Sequence, residues 1–426
     1  MSAPDSAEPE PAPAGSRNIV AFVFITVLID SIGFGIVIPV LPELIMELTG
    51  QGVSSAAAWG GALMFAFAIT QFVCGPIMGN LSDRYGRRPV LLFSLGVFAV
   101  NYFLTGIAPT ITWLFIGRVI AGVSASTFST GNACIADITP PEQRPQRFGL
   151  LGSAFGLGFI LGPAVGGFLA ELGSRVPFFA TAGLALLNML YGLLVLPETL
   201  SEERRRPFEW RRANPIGAAL SLRRYPLVAG LLVAVFLNSM GHFVLPSTWS
   251  YYTIAKFGWS ERDIGLSLAA VGVLATIVQG GLVRPIIARI GVERALFVGL
   301  GASCMAIAGY GLAPAGWMMF VVMIPGSLGG LASPAMQGIM SARVPADGQG
   351  ELQGALAAVS SLTAILSPPL MTQTFAHFTA AGRDFPGAPF LLASGLTLCG
   401  LSVCWVVLRR PVADSAPDRD SDAEPG

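Results

Sequence analysis

"GNLSDRYGRRPVLL", residues 79–92, crowds one acid and three arginines into the six positions 83–88 of a chain that otherwise avoids charge. The stretch reads as a tight turn between two helices. Gly79 permits close approach at a helix end, and Gly86 supplies a turn residue of the left-handed kind. Pro89 suits the first turn of the following helix. Asp83 is set among Arg84, Arg87 and Arg88. A simple charged turn accounts for the arginines but not for the ordered Gly-Asp-Arg-Gly-Arg-Arg-Pro series.

Apolar sequence flanks this turn on both sides. Blocks fall near residues 19–42, 57–79, 89–108, 111–135, 148–170 and 177–197. They resume near 226–248, 264–288, 295–313, 316–340, 352–376 and 387–408. Each runs to about 20 residues, enough for a helix to cross roughly 30 Å of hydrocarbon. Of the 426 residues, 53% are hydrophobic and only 12% charged, against about 25% charged in a soluble domain. The expected fold class is therefore an all-α membrane protein with about twelve transmembrane helices in two six-helix sets. The expected boundaries are a disordered acidic tail at 1–18, one bundle at 19–197, a charged linker at 198–225, a second bundle at 226–410 and a disordered tail at 411–426. The N-terminal "MSAPDSAEPEPAPAG" lacks a basic segment and reads as a tail rather than a signal peptide.

Several classes are excluded. Net charge is zero, so nucleic acid is not an implied partner. Cys74, Cys134, Cys304, Cys399 and Cys404 sit inside apolar blocks at no metal or redox spacing. With only two histidines and no His/Cys cluster, neither a metal nor a cofactor is expected. No nucleophile–base–acid set or phosphate loop appears, so an enzyme is not expected.

Charge and repetition give the plan. Nineteen of the 25 basic residues fall on the face that carries the linker. The positive-inside bias makes that face cytoplasmic, with both termini inside. Gly86 matches Gly291, Gly149 matches Gly354, and Pro163 matches Pro368, each pair 205 positions apart. A constant offset over helices two, three and five indicates a duplicated bundle. Two parallel repeats suit a transporter that rocks its halves around a central site.

Two charges stand inside apolar blocks. Asp30 lies in "VLIDSIGFGIVIPVLP" (27–42) and Arg118 in "WLFIGRVIAGVSAS". An ionised group at membrane depth costs about 2.5–3.5 kcal/mol on insertion scales, so each should face the bundle interior, and Arg118 should find a partner. Burial penalises the ionised carboxyl, which makes Asp30 a candidate proton carrier, with a bundle-anchoring hydrogen bond as the plainer alternative. Pro39 and Pro42 are expected to end or bend the first helix. Gly158, Gly162 and Gly166 form a ridge at i, i+4 and i+8, with Gly167 and a kinking Pro163 beside it; close helix packing explains such a ridge. Gln71, Asn101, Asn238, His242, Gln279 and Gln337 are candidate cavity polar groups, and Phe34 and Met336 candidate apolar wall. Asn238 and His242, four apart, share a helix face.

These motifs carry a resemblance. "GNLSDRYGRRPVLL" resembles the loop signature of the major facilitator superfamily. "DSIGFGIVIPVLPELI", "LFIGRVIAGVSAS", "IADITPPEQRPQRFG", "GFILGPAVGGFLA" and "SPAMQGIMSARVPADGQGELQG" are similar to segments of its proton-coupled drug antiporters of the tetracycline-efflux type. The resemblance spans nearly the whole chain. It implies that helices one, four, seven and ten line the central cavity. It implies that Gly79, Asp83, Arg84, Gly86, Arg87 and Arg88, with Asp137 bridging Arg87 or Arg88, gate the cytoplasmic side. In the outward-open state Asp83 would then lie near the start of helix eleven, around Gly350–Gly354. It further implies that the 158–167 ridge limits ion leak and favours exchange. The sequence also departs from that group. The third-helix acid becomes Asn101, the eighth-helix histidine falls at Ala275, and the ninth-helix acid falls near Ser303, which bears directly on metal–tetracycline chelate as a substrate.

The expectation is a monomeric inner-membrane exporter that exchanges protons for a small amphipathic organic molecule, with Asp30 and Arg118 as the proton-coupling pair. A metabolite exporter or proton symporter of the same fold stays open, as does a transporter-like sensor.

Overall fold

The computed structural model describes residues 16–125, 127–140, 143–208, 226–345, 348–380 and 383–409. Most of both expected tails and the linker beyond residue 208 lie outside the described residues. Among the described residues the regular structure is helical throughout.

Among the described residues, twelve helices are long and apolar enough to cross a bilayer. They are α1 (Asn18–Thr49), α2 (Val53–Tyr85), α3 (Arg87–Gly106), α4 (Ile111–Ile138), α5 (Gln146–Ala170) and α6 (Val176–Val195). The second six are α7 (Leu227–Phe257), α8 (Glu261–Ile290), α9 (Val292–Leu312), α10 (Gly316–Ser341), α11 (Gln349–Thr379) and α12 (Ala388–Arg409). Leu194 and Met305 stay largely exposed on their outer surfaces, as befits helices that are apolar on every side and meet lipid.

The first helix corrects the sequence expectation. It continues through Pro39 and Pro42 to Thr49 instead of ending near residue 42. Proline is tolerated in a membrane helix where neighbouring helices re-satisfy the freed backbone groups. One such neighbour is Ser250, which donates to the Ile38 carbonyl at 2.8 Å.

Four crossings are interrupted. Helix α4 breaks after Ser124, where Ala125 leaves helical geometry. Helix α7 divides at Phe243, between segments ending at His242 and starting at Val244. Helix α8 contains one π-turn, Val278–Leu282, and α10 a 3-10 turn, Leu328–Leu331. Glycine pairs at 280–281 and 329–330 explain the last two. Such irregular turns survive at membrane depth only where they are packed in protein or line a cavity.

The two halves meet along α2 against α11 and α5 against α8, and their contact is one-sided. At the face away from the linker, Ser54 donates to Thr379 Oγ1 at 2.7 Å and Arg262 pairs with Glu171 at 3.2 Å. There Gly61 abuts Thr372, Gly265 abuts the Pro163 carbonyl, and Gly167 abuts the backbone of Glu261 and Arg262. At the linker face, a side chain built on Gly75, Gly79, Gly149, Gly152, Gly281, Gly338 or Gly350 would meet nothing within 4 Å. The halves are zipped at one face and parted at the other.

Candidate functional site

Four groupings gather the residues singled out in the sequence: a charged cavity centred on the first half and closed by α7 and α11, an uncharged cavity in the second half, the 79–92 turn, and the glycine ridge of α5.

The first cavity, about 390 Å³, is lined from α1, α2, α3, α4, α5, α7 and α11. Asp30, Phe34, Gln71, Asn101 and Arg118 all face it. Its polar groups are poorly paired. Asp30 Oδ1 is buried with no hydrogen-bond partner, and so is Asn101 Oδ1. Thr127, beyond the α4 break, lines the same cavity beside Asp30. Arg118 forms no hydrogen bond or ion pair with another described residue, contrary to the expectation of a partner. The two charges therefore share a cavity without forming a salt bridge. Tyr102 lies within electrostatic range of both and is fixed by donating to the Gly33 carbonyl at 3.0 Å. Tyr251, from the second half of α7, is buried against Gly60 within electrostatic range of Arg118, and its hydroxyl has no partner.

Buried polar groups are ordinarily satisfied, so this cluster holds unspent hydrogen-bonding capacity around two ionisable side chains. An aromatic row gives the cavity an apolar wall. Phe34 and Phe159 stand 6.4 Å apart, Phe159 and Phe155 6.3 Å, and Phe155 and Phe128 6.1 Å. Gln71 lines the wall and also donates to the freed Ala125 carbonyl at 3.4 Å, bracing the α4 break.

The remaining expected substrate residues do not share that cavity. Asn238, His242, Gln279, Met336 and Gln337 line a second space of about 790 Å³ among α7, α8, α9, α10 and α11. The expected residues thus divide between two spaces that flank α7, with His242 and Leu245 facing the second and Phe243 and Pro246 the first. Met336 is only 5% exposed and belongs mainly to the packed core of the second half. Ala275 and Ser303, the positions of the departed eighth- and ninth-helix groups, both line the second cavity.

The 79–92 turn is braced within the first half. Gly86 has φ +105° and Gly291 φ +85°, so both members of the repeated pair adopt backbone that side chains rarely tolerate. Arg87 bonds Asp83 at 2.5 Å and Asp137 at 3.1 Å. Arg88 does not reach Asp137; it donates to the Leu193 carbonyl at 2.8 Å. Arg84 lies over the Tyr85 ring at 5.2 Å. Glu198 accepts from the backbone N–H of Arg87 at 2.8 Å and of Arg88 at 3.3 Å, capping the start of α3. In this arrangement Asp83 is engaged by Arg87 and not by α11, whose Gly350 has nothing near it.

The glycine ridge packs on α1. An added Cβ on Gly162 would meet the Ile32 carbonyl at 2.5 Å, and one on Gly166 would meet the Ile36 carbonyl at 2.9 Å. Gly158 likewise faces the Leu28 carbonyl at 2.7 Å, and Pro163 lies against Gly35. Gly167 and the Pro163 carbonyl turn the other way, onto α8. Helix α5 is thereby the strut between the halves.

Comparison with known proteins now bears on this geometry. The sequence pattern of the Major Facilitator Superfamily matches residues 23–368 and 231–425. The chain belongs to the major facilitator superfamily. It is 36% identical to the tetracycline resistance protein, class C, of Escherichia coli, over 93% of this chain and 97% of that one. It is 35% identical to multidrug resistance protein 1 of Bacillus subtilis (strain 168), over 62% of this chain and 66% of that one. Its fold is similar to the crystal structure of the human organic anion transporter MFSD10 (TETRAN), with TM-score 0.66 and 25% identity, covering 92% of this chain and all of that one. This superfamily member is a transporter of small molecules, not an enzyme, and a multi-pass inner-membrane protein.

Sequence reasoning missed four contributors: Tyr102, Thr127, Tyr251 and Glu198. The first three read as ordinary polar or aromatic residues of apolar blocks. Glu198 carried a signal, an acid directly after the sixth block in "PETL", but it was absorbed into the linker.

Proposed function

We propose that this chain is a proton-coupled antiporter that exports small amphipathic organic compounds, drug or tetracycline-like, by alternating access. The observation that carries the reading is the set of unpaired polar groups around Asp30 and Arg118 in the first-half cavity. A carboxyl held there without a permanent counter-charge is free to gain and lose a proton as its surroundings change. Asp30 is the proton carrier, and Arg118, which lines the same cavity, modulates it. Relatives named for tetracycline and multidrug resistance support export as the direction.

The linker face is cytoplasmic, with both termini inside, as the arginine bias requires. The zipped and parted faces then describe an inward-open state. Closure on the cytoplasmic side brings Asp83 toward the start of α11, whose positive dipole end favours an anion. Such a latch is worth about 1–3 kcal/mol, the range of typical coupling energies. Each proton entering moves one charge, worth about 2.3 kcal/mol per 100 mV. One chain carries both halves and both cavities, so the monomer is the working unit.

The test is transport by wild-type protein in inverted membrane vesicles. Accumulation of tetracycline or chloramphenicol on energisation, collapsed by a protonophore, is the expected result. Uptake in right-side-out vesicles instead would refute export.

A further inference from the structure

The larger cavity differs from the first in one chemical respect. Of its lining residues, not one is Asp, Glu, Lys or Arg. Its polar equipment is neutral: Asn238, His242, Gln279, Ser303 and Gln337. His242 Nε2 stands 3.3 Å from Ser303 Oγ. Asn238 Oδ1 is buried and accepts no hydrogen bond. The π-turn at Val278–Leu282 carries Gln279 into the space, and the 3-10 turn of α10 presents Gly329 and Gly330 beside it. At about 790 Å³ the cavity is of the size that encloses a drug-sized molecule.

We infer that the second-half cavity is a binding site for an uncharged organic compound bearing a hydrogen-bond donor, held apart from the ionisable cavity around Asp30. The inference rests on the reading of the chain as an exporter and adds the substrate class and its place. Desolvating a charged ligand in a space with no counter-charge is strongly unfavourable, whereas a neutral polar group loses little if it is hydrogen-bonded. The orphan Asn238 oxygen is the group that rewards an N–H or O–H. Methionine, leucine and tyrosine surfaces from Met323, Leu274 and Tyr310 supply the apolar remainder. Helix α7 separates the two functions with adjacent residues, since His242 and Phe243 face opposite cavities. A ligand on one side of that break is thereby placed to influence the carboxyl on the other without touching it.

The experiment is binding of tritiated chloramphenicol, which is uncharged and carries hydroxyl and amide donors, to purified full-length protein by scintillation proximity. Tritiated tetraphenylphosphonium serves as a permanent cation for contrast. Asn238→Leu removes the acceptor at similar volume and should weaken chloramphenicol about fivefold to tenfold, the effect of one hydrogen bond. Ser333→Trp, at an exposed lining position, fills the space and should weaken it more than tenfold without disturbing the core. Ala275→Glu should weaken chloramphenicol and strengthen tetraphenylphosphonium. Insensitivity to both Asn238→Leu and Ser333→Trp would overturn the inference. Binding that follows the expected pattern in a protein that fails to export would strike the transport reading and leave this one standing.

Discussion

The two halves share one backbone plan but not one chemistry. Gly86 and Gly291, 205 positions apart, both take positive φ between consecutive helices. Around Gly86 stand Asp83, Arg87, Asp137 and Glu198, bonded into one network. Around Gly291 an added side chain would meet nothing within 4 Å. The same divergence runs along the paired helices α5 and α11. The glycines at 158, 162 and 166 correspond to Thr363, Ser367 and Met371. Helix α5 approaches α1 backbone to backbone, whereas Ser367 reaches across to donate to the Met240 carbonyl at 2.7 Å. The cavities complete the contrast, one holding an acid and an arginine and the other a histidine among neutral amides and hydroxyls. Duplication has kept the turns that the fold needs and placed the cavity carboxylate and guanidinium in one copy.

Substitutions can break or sharpen this comparison. The largest effect is expected for Gly162→Val, because the atoms in its way are the backbone of Ile32 and Gly35 and cannot swing aside. No monodisperse protein should survive solubilisation. Its counterpart Ser367→Ala should lower stability by only about 1 kcal/mol, one hydrogen bond, read from thermal unfolding in detergent. Equal loss at both positions would erase the distinction between the two interfaces.

Next is the repeated turn. Gly86→Ala and Gly291→Ala both impose backbone strain of about 1–3 kcal/mol. At Gly86 the new methyl also meets the Glu198 carboxylate, so Gly86→Ala should be the more damaging of the two by thermal unfolding. Glu198→Ala should cost about 1 kcal/mol, since its cap on α3 is solvent-exposed. The smallest effect is expected for Tyr251→Phe, which removes a buried hydroxyl without a partner. Stability should hold or rise by up to about 1 kcal/mol, and a clear loss would mean that the hydroxyl is engaged.

The sequence disclosed what depends on short-range rules. Twelve apolar stretches of spanning length and the Gly86 turn follow from hydropathy and φ preference, whereas the bridge from Asp137 to Arg87 or Arg88 came with the resemblance, and the structure selects Arg87. Helix ends were less legible: α1 passes Pro39 and Pro42 because a residue 212 positions away, Ser250, bonds its backbone. The division into two cavities was hidden for the same reason. It turns on α7, where Pro246 marks the interruption by lacking the N–H that would bond the His242 carbonyl, but which space each neighbouring side chain faces depends on distant packing. Tyr251 gains its meaning only from Gly60 across the interface between halves.

The central claim is that Asp30 couples a proton gradient to movement of the substrate. Proteoliposomes holding wild-type or Asp30→Asn protein, loaded with an acidic lumen, test it most directly. The account predicts that wild-type protein accumulates chloramphenicol under the pH gradient. The variant should still exchange chloramphenicol for chloramphenicol at equilibrium yet accumulate none. Gradient-driven accumulation by Asp30→Asn at the wild-type level would contradict the account.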